Sequence, residues 1–105
     1  MGNYILVQTS TDSQESAQKI ADSIIQSRLA ACCWISTIQS SYWWQDVIEK
    51  QQEWTLQFKT RASLYEELEK AIKSMHSYEV PEIVAIPIIQ GNQNFLDWIK
   101  NETRE

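Results

Sequence analysis

His76 is the only histidine in a chain of 105 residues, and it heads the run His76-Ser77-Tyr78-Glu79-Val80-Pro81-Glu82. An imidazole titrates near neutrality, so it can ligate a metal or pass a proton. At the end of a helical pattern it can equally serve as a cation facing the partial negative charge of the last turn, and both readings stay open. Glu79 and Glu82 are three residues apart in an extended linker punctuated by Pro81, a spacing that does not set an acid–base pair. A Ser-His-Asp arrangement would have to recruit His76, and nothing designates the serine or aspartate that would orient it. Glycine occurs only as Gly2 and Gly91, which excludes a glycine-rich phosphate loop. No enzyme activity is expected. Cys32 and Cys33 are adjacent, so on a strand they point to opposite faces and cannot pair with each other. They also lack the CxxC spacing of a zinc site, and small buried hydrophobes is the reading they fit.

These residues need a scaffold, and the composition bounds it. The length is that of one domain spanning residues 1–105. Such a fold buries roughly 60–70% of the surface its unfolded chain exposes. Five Trp, four Tyr and two Phe, each with roughly 150–250 Å² to bury, exceed what so small a core encloses. Aromatics left outside mark an interface, so self-association is expected. The net charge of −5 and the pI of about 4.8 repel a phosphate backbone, and no Lys/Arg stripe offsets them, so no nucleic-acid partner is expected. No apolar run approaches the roughly 18 residues that span a bilayer, and no signal-like segment opens the chain. Met1-Gly2 resembles a myristoylation start, but Leu6 occupies the position of the required Ser or Thr. The expectation is a soluble cytoplasmic protein without a membrane partner.

Tyr4-Ile5-Leu6-Val7 reads as a buried strand. Asp12 with Glu15 forms a capping-box pair, opening a helix whose stripe is Ala17, Ile20, Ala21, Ile24 and Arg28. Cys32 to Ile38 is β-rich, with Trp34 and Ile38 on one face and Cys33, Ile35 and Thr37 on the other. Residues 40–46 lead into a third strand, where Trp54, Leu56 and Phe58 alternate with Thr55, Gln57 and Lys59. Ser63 with Glu66 makes a second capping box before the stripe Leu64, Leu68, Ala71, Ile72 and Met75. Ile83 to Ile86 is a fourth strand, and Pro87 places it at a sheet edge. Gly91-Asn92 turns the chain into a last helix with Phe95, Leu96, Trp98 and Ile99 on its apolar side. The order β-α-β-β-α-β plus a terminal helix is the ferredoxin-like, split βαβ pattern, an α+β fold. Right-handed crossovers put both main helices on one sheet face, and something must cover the other.

Read together, Arg28-Leu29-Ala30-Ala31-Cys32, Tyr42-Trp43-Trp44, Lys59-Thr60, the His76 run, Gly91-Asn92 and Leu96-Asp97-Trp98-Ile99 resemble the CutA divalent-cation tolerance family, in family order from about Tyr4 to Arg104. The resemblance implies a ferredoxin-like subunit and a homotrimer, the assembly also seen in PII signalling proteins, with sheets packed around a threefold axis. It implies a role in tolerance of divalent metals, copper foremost, with metal at His76 and Glu79 and an inter-subunit cleft holding Lys59, Tyr78 and Glu82. Tyr42, Trp43, Trp44 and Trp54 are expected as aromatic anchors of the trimer interface. Base stacking by these aromatics is the weaker alternative, because they lack basic neighbours. Copper-binding members are associated with a cysteine and a second histidine at positions that are Gln8 and Met75 here, and the usual proline after histidine is Ser77. Copper is thus a possible ligand that folding does not require. A metabolite-binding regulatory trimer and a scaffold for another protein are the rival readings.

Overall fold

The computed structural model describes residues 3–105; the Met1-Gly2 start lies outside them. In chain order the elements are β1 (Tyr4–Thr11), α1 (Gln14–Gln26), β2 (Cys32–Trp44), β3 (Val47–Arg61), a 3-10 turn (Ala62–Leu64), α2 (Tyr65–Met75), β4 (Val84–Pro87) and α3 (Gln93–Glu102). The sheet is antiparallel with strand order β2-β3-β1-β4. This is the expected ferredoxin-like order, and β4, which ends at Pro87, lies at an edge as that proline requires.

Ile5, Val7, Leu56 and Phe58 point to one side of the sheet and pack with Ala17, Ile20, Ala21 and Ile24 of α1 and Leu68 and Ile72 of α2. Met75 and Trp54 pack at the margin of the same cluster. The cap of α1 is Ser13, one residue beyond the expected Asp12. Its hydroxyl accepts from Ser16 N at 3.1 Å, while Glu15 sits in the first turn. The Ser63–Glu66 capping box does not form. A 3-10 turn carries the chain into α2, whose N-cap Leu64 has no capping side chain and is itself buried at 2% exposure. Burial of that leucine outweighs the cap.

Arg28 leaves the α1 stripe. It takes the left-handed position after the helix (φ 60°), with Arg28 N donating to Ile25 O and Leu29 N to Ile24 O, a Schellman closure. Leu29 is thereby driven into the core, and the Arg28 side chain binds Glu102 of α3 at 3.1 Å.

The largest departure from the sequence reading is β2. It runs 13 residues, through the segment expected as a connection, and pairs along its length with the 15-residue β3. Gln45 and Asp46 close the hairpin with φ of 51° and 67°, the two-residue geometry for which Asn-Gly is the usual sequence. Gln45→Asn with Asp46→Gly is expected to raise stability by about 1 kcal/mol. That is roughly 4–8 °C in thermal midpoint, measurable by a melting curve against the parent. The hairpin tip carries the molecule out to 44 Å in its longest dimension.

Candidate functional site

The face of the sheet opposite α1 and α2 holds alternate residues of each strand: Leu6, Gln8 and Ser10 of β1, Trp34 to Trp44 at even positions of β2, Glu53 to Lys59 at odd positions of β3, and Val84 and Ile86 of β4. Large apolar groups stay uncovered there. Trp34 is 63% exposed, and Ile38, Tyr42, Trp44, Val84 and Ile86 are also solvent-accessible. Trp43 points the other way and is 70% exposed. Trp54, expected with them at an interface, instead faces the helices and packs on the core.

Where this face meets the segment after α2 there is a groove of about 880 Å³, lined by Ser40, Tyr42, Trp44, Glu53, Tyr78 and Glu82 among others. Its anchor is Glu53, only 5% exposed. Ser40 Oγ donates to Glu53 Oε1 and the Tyr78 hydroxyl donates to Oε2, each at 2.5 Å. Gln51 Nε2 donates to the Tyr78 oxygen at 3.2 Å and to the Tyr42 oxygen at 2.7 Å. Burial, and then the hydrogen bond to Glu53 and its charge, push the Tyr78 phenol above the usual tyrosine range. Both Glu53 oxygens thus hold a donor, as a buried carboxylate requires.

His76 ends α2 and clasps the segment to β1. Its Nε2 lies 2.8 Å from the Ser10 carbonyl oxygen, so Nε2 carries the proton, and Nδ1 accepts from Tyr78 N at 3.1 Å. The imidazole also tilts against the Tyr78 ring at 4.9 Å. Both nitrogens are therefore engaged, whereas a metal ligand needs one free lone pair. Glu79 is exposed at the groove rim. Among the described residues no three His, Cys, Asp or Glu side chains gather as a metal-holding set. Gln8, at the family's cysteine position, donates to Glu82 Oε2 and accepts from Gln57, both at 3.0 Å; Met75 is packed against the core. The residues present do not form a preorganised copper centre.

Lys59 lies at the other end of the face, its Nζ 3.7 Å from the centroid of the Trp34 ring. Cys33 faces the helices, and burial pushes its thiol up to about 12, out of the reactive range. The structure thus brings Tyr78 and Glu82 together at the groove, sets Glu79 on its rim and leaves Lys59 apart. Glu53, Ser40 and Gln51 escaped the sequence reading. Extending the β3 alternation back past Trp54 would have found Glu53 and Gln51 in phase with Gln57 and Lys59.

Residues 5–102 match the family described as CutA1 divalent ion tolerance protein. A divalent-cation tolerance protein CutA of Archaeoglobus fulgidus is 42% identical over 105 residues, covering both chains completely. The chloroplastic protein CutA 1 of rice is 42% identical over 102 residues, 96% of this chain; the chain spans only 58% of that relative's length. The crystal structure of CutA1 from rice superposes with a TM-score of 0.94 at 42% identity, covering 97% of this chain and 94% of that one. With nearly the whole chain aligned in sequence and in fold, this chain belongs to the CutA1 divalent ion tolerance family.

Proposed function

We propose that three copies of this chain associate through the helix-free sheet face, that the Glu53–Tyr78–Glu82 groove and Lys59 come to lie at the subunit boundaries, and that the assembly serves divalent-cation tolerance in the cytoplasm. The observation that carries this reading is the row of uncovered apolar side chains on one face of a small subunit, Trp34, Ile38, Tyr42, Trp44, Val84 and Ile86. Such a face is covered in a stable protein by a partner, and an obligate interface has this apolar, aromatic character.

Copper or another divalent ion is held weakly in this reading. Capture by His76 has to break its bond to Ser10 or to Tyr78, and Glu79 is an exposed partner. Light scattering should give about 37 kDa, three times 12.3 kDa, and Ile38→Lys with Ile86→Lys should reduce it to the single-chain mass. A parent that is already 12 kDa sinks the trimer. A Cu(II) titration should show weak binding that His76→Ala leaves nearly unchanged; a tight site abolished by that substitution would restore His76 as a dedicated ligand.

The groove favours one second reading, a regulatory trimer that binds a small metabolite, because about 880 Å³ is within the roughly 300–1,000 Å³ of ligand pockets. A thermal-shift screen separates the two, since a specific ligand raises the melting point by mass action.

A further inference from the structure

Lys59 Nζ is shut off from solvent, yet no acceptor among the described residues lies within hydrogen-bond distance of it. Among the described residues its one compensating contact is the face of the Trp34 indole, 3.7 Å away, and Trp34 is itself 63% exposed. The polar side chains that precede it on this face are turned to one another instead: Gln57 Nε2 donates to Gln8 Oε1, and Gln8 Nε2 donates to Glu82 Oε2. On either side in the ladder stand Leu6 and Cys32. An ammonium carries three donors, and removing it from water without an acceptor is costly; one ring face returns only a fraction of that cost.

We propose that Lys59 is the receiving half of an oxyanion site on the open sheet face. Its ammonium takes a carboxylate or phosphate oxygen supplied from outside the subunit, and the exposed Trp34 indole is the cover that shifts to admit it. An oxyanion fits because Nζ offers donors only and the surrounding groups supply no negative charge. The oxygen comes from one of two sources: an acidic side chain of a neighbouring copy, which rests on the trimer proposed above, or a free small oxyanion, which does not.

The test compares the parent with Lys59→Met, close in shape and uncharged, and Lys59→Arg, which keeps the charge. Melting temperatures are read in sodium phosphate, sodium citrate and sodium chloride at equal ionic strength, and mass is followed on dilution. For a free oxyanion, the parent and Lys59→Arg melt several degrees higher as phosphate or citrate rises to millimolar levels, and Lys59→Met does not respond. For a neighbouring carboxylate, the anions have no effect, but Lys59→Met shifts the concentration at which the trimer dissociates at least tenfold upward, with Lys59→Arg retaining most of the affinity. The proposal is overturned if Lys59→Met melts at or above the parent with neither response, which marks the ammonium as a mere burial cost. It is equally overturned if Lys59→Met melts lower while mass and anion response stay unchanged, which marks lost packing on Trp34. A parent that sediments as a monomer defeats the trimer reading separately, and the phosphate and citrate series still decides the oxyanion site.

Discussion

Replacing Glu53 with alanine is expected to lower the thermal midpoint by roughly 10–20 °C, the effect of about 2–3 kcal/mol on a domain of this size. The carboxylate is nearly enclosed and takes a hydroxyl on each oxygen. Its removal strands Ser40 and Tyr78 and frees the segment after α2, which the Tyr78 ring and the His76 clasp hold against β1 and β3. Glu53→Gln keeps an accepting oxygen and should cost about 1 kcal/mol. A cycle of Glu53→Ala with Tyr78→Phe should show coupling on the order of 1 kcal/mol; strict additivity would mean the pair does not hold the groove. The pH dependence follows in sign. The Tyr78 phenol keeps its proton more tightly folded than unfolded, so the stability it contributes is complete below the ordinary tyrosine value of 10.0 and is lost as pH rises beyond it. Glu53→Ala should flatten that alkaline loss without abolishing it, since burial, the larger cause, is only partly relieved.

Phe58→Ala is expected to cost more, about 3–5 kcal/mol, because a fully buried aromatic leaves a cavity that rigid neighbours cannot fill. Phe58 is wholly enclosed, opposite Val7 on one side and Cys33 on the other, under the α1 and α2 stripes. Against a total of about 5–15 kcal/mol for a typical domain, that loss leaves little margin. Denaturant melts should show the midpoint falling sharply for Phe58→Ala and roughly a third to half as far for Phe58→Leu, which keeps most of the volume. Equal small losses for both would mean that the sheet–helix packing is looser than the burial implies.

Periodicity carried most of the fold. The α1 and α2 stripes and the Leu56–Phe58 alternation are local patterns of buried side chains, and apart from Arg28 they lie where the spacing puts them. Capping was less legible. Asp12 and Ser63 are good cap residues, yet Ser13 and a 3-10 turn take those places, because the chain must also seat Thr11 and Leu64 in the interior. The long β2–β3 hairpin was missed because Gln45-Asp46 is a poor turn sequence, and its left-handed backbone is imposed by thirteen flanking pairs. Of the site, the motif that Tyr78 and Glu82 share with His76 drew attention to both residues, and both line the groove of the single chain. The role of Glu53 was not, since it depends on Ser40 and Tyr78, separated from it by 13 and 25 residues. Nor was the double engagement of His76, because one of its partners is a backbone carbonyl 66 residues away.

One feature of the sheet constrains how this chain can be made. β2 is an outer strand, and its sequence, Cys32 to Trp44, has no charged residue and no proline. Those are the groups with which natural proteins discourage stray strand addition. A freshly translated copy therefore presents a sticky ribbon whose unfilled backbone donors and acceptors can template fibril-like stacking. The share of copies lost to such stacking should rise with the concentration of newly made chains.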